Sequence, residues 1–233
     1  MSTHTSPLPE IPLIDKPAGM TSFDVIRSLR KQTGLKKFGH AGTLDPAATG
    51  LLVVGAGPGT RRLADLIKLD KEYEARVFIG VATTTSDRDG EVVQSKSVAL
   101  TTELKKQIVE AINSLVGETE LPVSAYSAIK RDGVPMYERA RAAAARGEQI
   151  TELPVRLMHV YKAEIITLAE STFRNTNGLT VSVRFSVGSG TYIRSLAEEI
   201  GRQLGVPAML LELRRTKVGE FCIEDALPLS SIK

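Results

Sequence analysis

The stretch Leu179-Thr180-Val181-Ser182-Val183-Arg184-Phe185-Ser186-Val187 decides the architecture. Apolar residues occupy every second position, the pattern of a strand with one face buried and one wet. Strand-like runs near 150–187 pair naturally as antiparallel neighbours. Directly downstream, Gly188-Ser189-Gly190-Thr191 opens a helix whose apolar stripe is Ile193, Leu196, Ala197, Ile200 and Leu204. A doubly wound fold would alternate strands and helices along the whole chain, and this sequence does not. The reading is α+β, with a mixed, mostly antiparallel central sheet flanked by helices and loops.

Working outward, Ile11 to Ile14 reads as a first strand. Thr21 or Ser22 caps a helix that stops at Gly34. Leu51 to Val54 is a buried strand, and Gly55-x-Gly57-x-Gly59 turns into a short helix capped by Thr60. Lys71 to Ala82 reads as one long strand with Tyr73, Ala75, Val77 and Ile79 on a single face. Leu104 to Leu115 is an amphipathic helix, Tyr126 to Lys130 a brief strand, and Val134 to Arg146 a second helix. Two more strand-like runs lie at Leu210 to Leu213 and Val218 to Ile223. Residues 1–10 are expected to form a disordered leader before one catalytic domain over 11–233, with an insertion at about 127–151.

Composition narrows the class. The net charge is +3 and the pI about 9.0, a mild excess that fits a nucleic-acid binder without requiring one. The charge is clustered. Residues 21–71 hold nine Lys or Arg against four Asp or Glu, residues 126–147 hold five against two, and Arg214, Arg215 and Lys217 form a third group. Such clusters in loops suit RNA phosphates. A single cysteine, Cys222, can form neither an internal disulfide nor a four-ligand zinc site; a reducing, cytoplasmic setting is expected. No apolar run reaches the roughly 20 residues of a membrane helix, and no metal-ligand spacing occurs. The Gly55-x-Gly57-x-Gly59 turn departs from a dinucleotide fingerprint, since its third glycine comes one residue early and Pro58 lacks an N–H.

Asp45 is the residue that asks for an explanation. On its own, an Asp-Pro in a loop is a turn former. Here Gly39, Gly42 and Gly50 let another chain approach the backbone, and basic residues flank the loop. A carboxylate there repels phosphate, so it needs a chemical reason.

Residues 39–54, Gly-His-Ala-Gly-Thr-Leu-Asp-Pro-Ala-Ala-Thr-Gly-Leu-Leu-Val-Val, resemble the signature of the TruB family of tRNA pseudouridine synthases. Six ordered segments extend the resemblance: Lys16 to Ser22, Asp70 to Tyr73, Gly80 to Gly90 with Thr83, Thr85 and Asp87, Tyr126 to Lys130, Gly190 to Arg194, and Leu213 to Thr216. The sequence departs from the family pattern at Leu121, Val123, Ser124 and Thr84. It stops at Lys233, and a form without the C-terminal PUA-type domain is expected.

The resemblance implies a pseudouridine synthase fold. The implied reaction isomerises the T-loop uridine at tRNA position 55 after the nucleotide is flipped out. It implies Asp45 as the catalytic carboxylate, Tyr73 as the ring that stacks on the base and can act as a general base, and Arg194 as the arginine paired with the aspartate. Leu213 would pack on the target base and His40 hold the extruded nucleotide. Lys16, Asp87, Tyr126, Lys130, Arg141 and Tyr192 would complete the substrate contacts. No cofactor and no metal are implied. The partner is the T-arm of tRNA, with no membrane, no required protein partner and a monomeric enzyme. Two other readings stand beside it: a guide-RNA-dependent relative within a ribonucleoprotein, and an RNA-binding protein without turnover. Lys130, Arg131, Arg139, Arg141 and Arg146 would make the insertion a basic thumb on the RNA. Limited proteolysis is then expected to cut between Ser127 and Thr151 more slowly when tRNA is present; equal cleavage with and without tRNA would count against the thumb.

Overall fold

The computed structural model describes residues 8–148, 150 and 152–232. The chain forms two compact units, Met1–Glu74 with Leu213–Lys233, and Ala75–Glu212.

In chain order the elements are β1 (Leu13–Lys16), α1 (Ser22–Thr33), β2 (Phe38–His40), β3 (Thr49–Ala56), a 3₁₀ turn at Gly57–Arg62 and α2 (Leu63–Leu66). There follow β4 (Lys71–Ile79), β5 (Val81–Thr83), β6 (Val92–Ser95), α3 (Thr102–Asn113) and β7 (Gly117–Pro122). The remainder comprises β8 (Lys130–Arg131), β9 (Val134–Pro135), α4 (Met136–Ala144), β10 (Val155–Phe173), β11 (Thr176–Val187), α5 (Ile193–Leu204), β12 (Ala208–Val218), β13 (Phe221–Cys222) and β14 (Leu227–Pro228). The unit boundaries fall within β4 and within β12. The fold is α+β, with mixed pairing that is mostly antiparallel.

In the first unit β1 lies between β14, parallel, and β3, antiparallel. β3 also pairs in parallel with β12, through Thr49↔Arg214 and Gly50↔Arg215. Ile14, Val25, Ile26, Leu29, Phe38, Leu52 and Val54 form a core beneath α1, against which Leu8 packs. The expected leader falls mostly on Met1 to Pro7, outside the described residues.

Helix α1 shows how local chemistry and packing share the work. The Thr21 side chain accepts from the Asp24 N–H, and Asp24 accepts in return from the Thr21 N–H, a complete capping box. Gly34 ends the helix at φ +73, where a side chain would be strained. Each of Val25, Ile26 and Leu29 is buried, worth about 1.5–3 kcal/mol apiece against about 1 kcal/mol for a cap. Packing therefore dominates, and the caps fix where the helix starts and stops.

The three-glycine turn has a packing explanation. A Cβ on Gly59 would lie 2.0 Å from the Glu10 carbonyl oxygen, and one on Gly55 would lie 2.9 Å from the Thr60 backbone. Thr60 does not cap a helix: its hydroxyl donates to the Gly57 carbonyl inside the 3₁₀ turn.

In the second unit β7, β10 and β11 pair antiparallel in the order β11-β10-β7. Leu179, Val181, Val183, Phe185 and Val187 are all buried, as their alternation predicts. The strand expected to run to Ala82 breaks at Gly80, whose φ of +135 lies outside strand geometry. Residues 126–128 form bends rather than a strand, and pairing begins only at Lys130. Replacing Thr21 with Ala is expected to lower the unfolding free energy by about 1 kcal/mol in urea titration; an unchanged midpoint would mean that core packing alone sets the start of α1.

Candidate active site

Asp45 sits half-buried in the irregular segment between β2 and β3. Little within that segment is self-supporting, so distant residues hold it. The Ser22 hydroxyl accepts from the Leu44 N–H at 2.9 Å and donates to the Leu44 carbonyl at 3.2 Å. The Gly19 N–H donates to the Pro46 carbonyl at 2.9 Å, and within the segment the Ala48 N–H closes a turn on the Asp45 carbonyl at 3.1 Å.

Lys16, expected among the substrate contacts, is fully buried. Its ammonium donates to the carbonyls of Met20 at 2.6 Å, Pro17 at 2.9 Å and Pro46 at 3.3 Å. Here it holds the loop that carries Asp45. Burial pushes its pKa down to about 8, while the Asp45 carboxylate pulls it up and Arg215 lowers it further.

Arg215 is 1% exposed. Its Nε donates to the Leu51 carbonyl at 2.8 Å and a terminal nitrogen donates to the Gly42 carbonyl at 3.1 Å. The third basic cluster of the sequence is thereby dispersed. Arg215 is internal, Arg214 binds both oxygens of Asp15 at 2.8 and 3.1 Å, and Lys217 is exposed. Sequence reasoning missed Arg215 by taking charge as a sign of surface. The available signal was strand parity, which places Arg215 on the same face as Leu213.

Three other expected residues lie in this unit. His40 is in β2, and burial and then Arg215 lower its pKa against a weaker pull from the Gly42 backbone. No hydrogen bond of good geometry reaches its buried Nδ1. Tyr73 is buried in β4, and the Leu213 carbonyl in β12 accepts from the Thr49 hydroxyl at 3.4 Å. Lys71 is buried two residues before Tyr73, its pKa lowered to about 8 by burial and then by Arg215.

The second unit holds the remaining candidates. Arg194, at the start of α5, is 6% exposed. It donates to the Thr85 carbonyl at 3.0 Å and the Tyr126 carbonyl at 3.1 Å, and lies 3.8 Å from Asp87 Oδ2. Asp87 is oriented in turn by the Thr85 hydroxyl at 2.5 Å and the Asp89 N–H at 3.1 Å. Thr85 was read only as part of a motif; it supplies both a carbonyl and a hydroxyl to this cluster. Tyr126 lines a cavity of about 420 Å³ with Ser86, Ser124, Ala140 and Glu198. Tyr192 caps α5 with its backbone, and its N–H points to Met158 Sδ at 3.5 Å.

Lys130 and Arg141 are exposed on the insertion, with the Arg141 guanidinium 5.6 Å from the Tyr137 ring centre. The other three basic residues are paired within the insertion and its flank: Arg131 with Glu152 at 3.0 Å, Arg139 with Asp132 at 2.9 Å, and Arg146 with Glu148 at 2.8 Å. Among the described residues no group of three or more His, Cys, Asp or Glu is placed to hold a metal ion. No helix of the described residues is long and apolar enough to cross a membrane.

The family model described as TruB family pseudouridylate synthase (N terminal domain) matches residues 30–193. A second, tRNA pseudouridylate synthase B C-terminal domain, matches residues 194–233. The tRNA pseudouridine synthase B of Corynebacterium efficiens is 43% identical over 221 residues, covering 95% of this chain and 71% of that protein. The protein of the same name from Leifsonia xyli subsp. xyli is 42% identical over 222 residues, covering 95% and 70%. A chain in the structure of an H/ACA RNP bound to a substrate RNA containing 2'-deoxyuridine superposes with a TM-score of 0.66 at 28% identity, over 94% of this chain and 51% of that one. A chain of a Cbf5-Nop10-Gar1 complex gives 0.66 at 26% identity, over 94% and 52%. The chain spans about half the length of these two structural relatives.

Both lysine pKa values lie below the ordinary 10.5. Between about pH 8 and 10.5 the unfolded chain therefore binds protons that the folded chain does not, and stability gains from these lysines as pH rises through that window. The urea midpoint is expected to rise less from pH 8 to pH 10 in Lys71→Met than in the parent chain. An identical rise would show that Lys71 is not one of its sources.

Proposed function

The chain belongs to the TruB family of pseudouridylate synthases, and we propose that it works on the T-loop uridine of tRNA with Asp45 as its catalytic carboxylate. It is an enzyme that isomerises uridine to pseudouridine in tRNA. The observation that carries the site assignment is the rigid mounting of Asp45. Partners from β1, α1 and β12 hold its loop, whereas an ordinary Asp-Pro turn would rely on local bonds.

The reaction breaks the N1–C1′ glycosidic bond and joins C5 of the same base to C1′. The C5 proton leaves and N1 gains one, so no redox partner or activated donor is consumed. A fixed carboxylate serves either by attacking the sugar or base covalently or by stabilising the detached sugar. Tyr73, a buried aromatic in the same unit, is proposed to stack on the flipped base, and Leu213 to pack against it. His40 is proposed to hold the extruded nucleotide. Arg194 is proposed as the catalytic arginine, oriented in its own unit by Thr85, Tyr126 and Asp87. Tyr192, Lys130 and Arg141 are proposed RNA contacts, and residues 127–151 a thumb. Lys16 is proposed to act beneath the loop and not on the RNA. The stand-alone reading is preferred to the guide-dependent one because relatives 42–43% identical carry the name tRNA pseudouridine synthase B. A monomeric enzyme working in the cytoplasm completes the proposal.

Asp45→Asn is expected to abolish tritium release from tRNA transcript labelled at uridine C5 while leaving tRNA binding within about threefold of the parent. Retained turnover in that variant would sink the assignment. No release by the parent chain alone would favour the guide-dependent or non-catalytic readings.

A further inference from the structure

We infer that Arg215 is a positioning residue for the Asp45 carboxylate, acting by gripping both ends of the loop that carries it. The inference rests on the reading of Asp45 given above.

The geometry is specific. The Leu51 and Gly42 carbonyls that accept from the Arg215 guanidinium lie on either side of residues 43–50, the segment that contains Asp45. The Arg215 main chain holds the same segment again, since β12 registers Arg215 against Gly50. Gly50 has φ +101, and a Cβ there would lie 2.3 Å from the Arg215 carbonyl oxygen. One residue thus fixes the loop's exit with its backbone and clamps entry to exit with its side chain. A guanidinium suits this task because its planar fork meets two acceptors in fixed relative positions, which the single-point ammonium of lysine does not.

Charge supplies an independent argument. Buried guanidinium groups normally take a carboxylate partner, because desolvating an unpaired cation is costly. Among the described residues Arg215 has no carboxylate within ion-pair distance; its partners are the two carbonyls. A methionine or leucine would fill the volume without that cost. The charge is retained in a region that already holds buried Lys16 and Lys71, each of which it disfavours in the charged form. Such a concentration of positive charge favours an anion on the adjoining loop, and the anion that loop carries is Asp45.

The test is single-turnover tritium release with enzyme in excess, which separates the rate constant from the amplitude, together with tRNA affinity and melting. Arg215→Gln is expected to lower the rate constant by about 100-fold, with tRNA affinity within about threefold; Arg215→Lys is expected to lose about tenfold. Lys217→Gln, a surface change in the same cluster, is expected to keep the parent rate constant. A purely structural role would reduce amplitude and melting temperature but leave the rate constant of the folded fraction unchanged, and that result would overturn the inference. If Arg215→Gln does not fold, the Arg215→Lys rate constant decides in the same way. Turnover by Asp45→Asn would defeat the reading of Asp45. An inactive Asp45→Asn beside a parent-like rate constant in the Arg215 variants would defeat this inference alone.

Discussion

Carbonyls in an irregular, partly buried segment must find donors, and residues 41–48 have no regular structure of their own to supply them. The chain meets this need with two cations taken out of water. Lys16 sends its ammonium to Pro17, Met20 and Pro46, and Arg215 sends its guanidinium to Gly42 and Leu51. Ser22 completes the support by bonding both backbone groups of Leu44. Much of the first unit follows from keeping these donors in place. β1 must end at Lys16, α1 must start at Ser22, and β12 must lie parallel to β3 in the register that brings Arg215 to Gly50. The cost of burying the cations is borne by the surrounding core of β1, α1 and β3.

The second unit uses the same principle with a different balance. Arg194 also donates to two carbonyls, those of Thr85 and Tyr126, but it has Asp87 beside it. Arg194 thus has a carboxylate beside it, whereas among the described residues the hydrogen-bond partners of the Arg215 side chain are carbonyls. The insertion shows a third arrangement, in which exposed arginines are paired with exposed acids. Pairs of that kind are worth at most about 1 kcal/mol, so phosphate can displace the carboxylates at little cost. The insertion is thus less strongly basic in the free chain than its arginine count suggests.

The sequence was most legible where structure is local. Thr21 and Gly34 marked the ends of α1 because capping is decided within a few residues. The alternation from Leu179 to Val187 marked β11 because one face of a strand meets the core. Asp45 was legible through its motif and not through its environment. The failures share one cause, long-range contact. Ser22 reads as a helix cap, yet its partner is Leu44. Arg215 reads as surface charge, yet its acceptors lie 164 and 173 residues away. β7, with sequence Gly-Glu-Thr-Glu-Leu-Pro, has weak strand propensity and pairs only because β10 lies beside it. The strand read from Lys71 to Ala82 runs through Gly80, whose φ of +135 ends β4.

The 173-residue separation between Gly42 and Arg215 bears on synthesis. At about 5–20 residues per second, a ribosome makes the loop roughly 10–35 seconds before it makes the arginine that closes it. Throughout that interval the nascent chain displays an aspartate on a loop with only its N-terminal supports in place. The loop is therefore completed late, and a half-translated chain carries Asp45 before the residue that joins the two ends of its loop has been made.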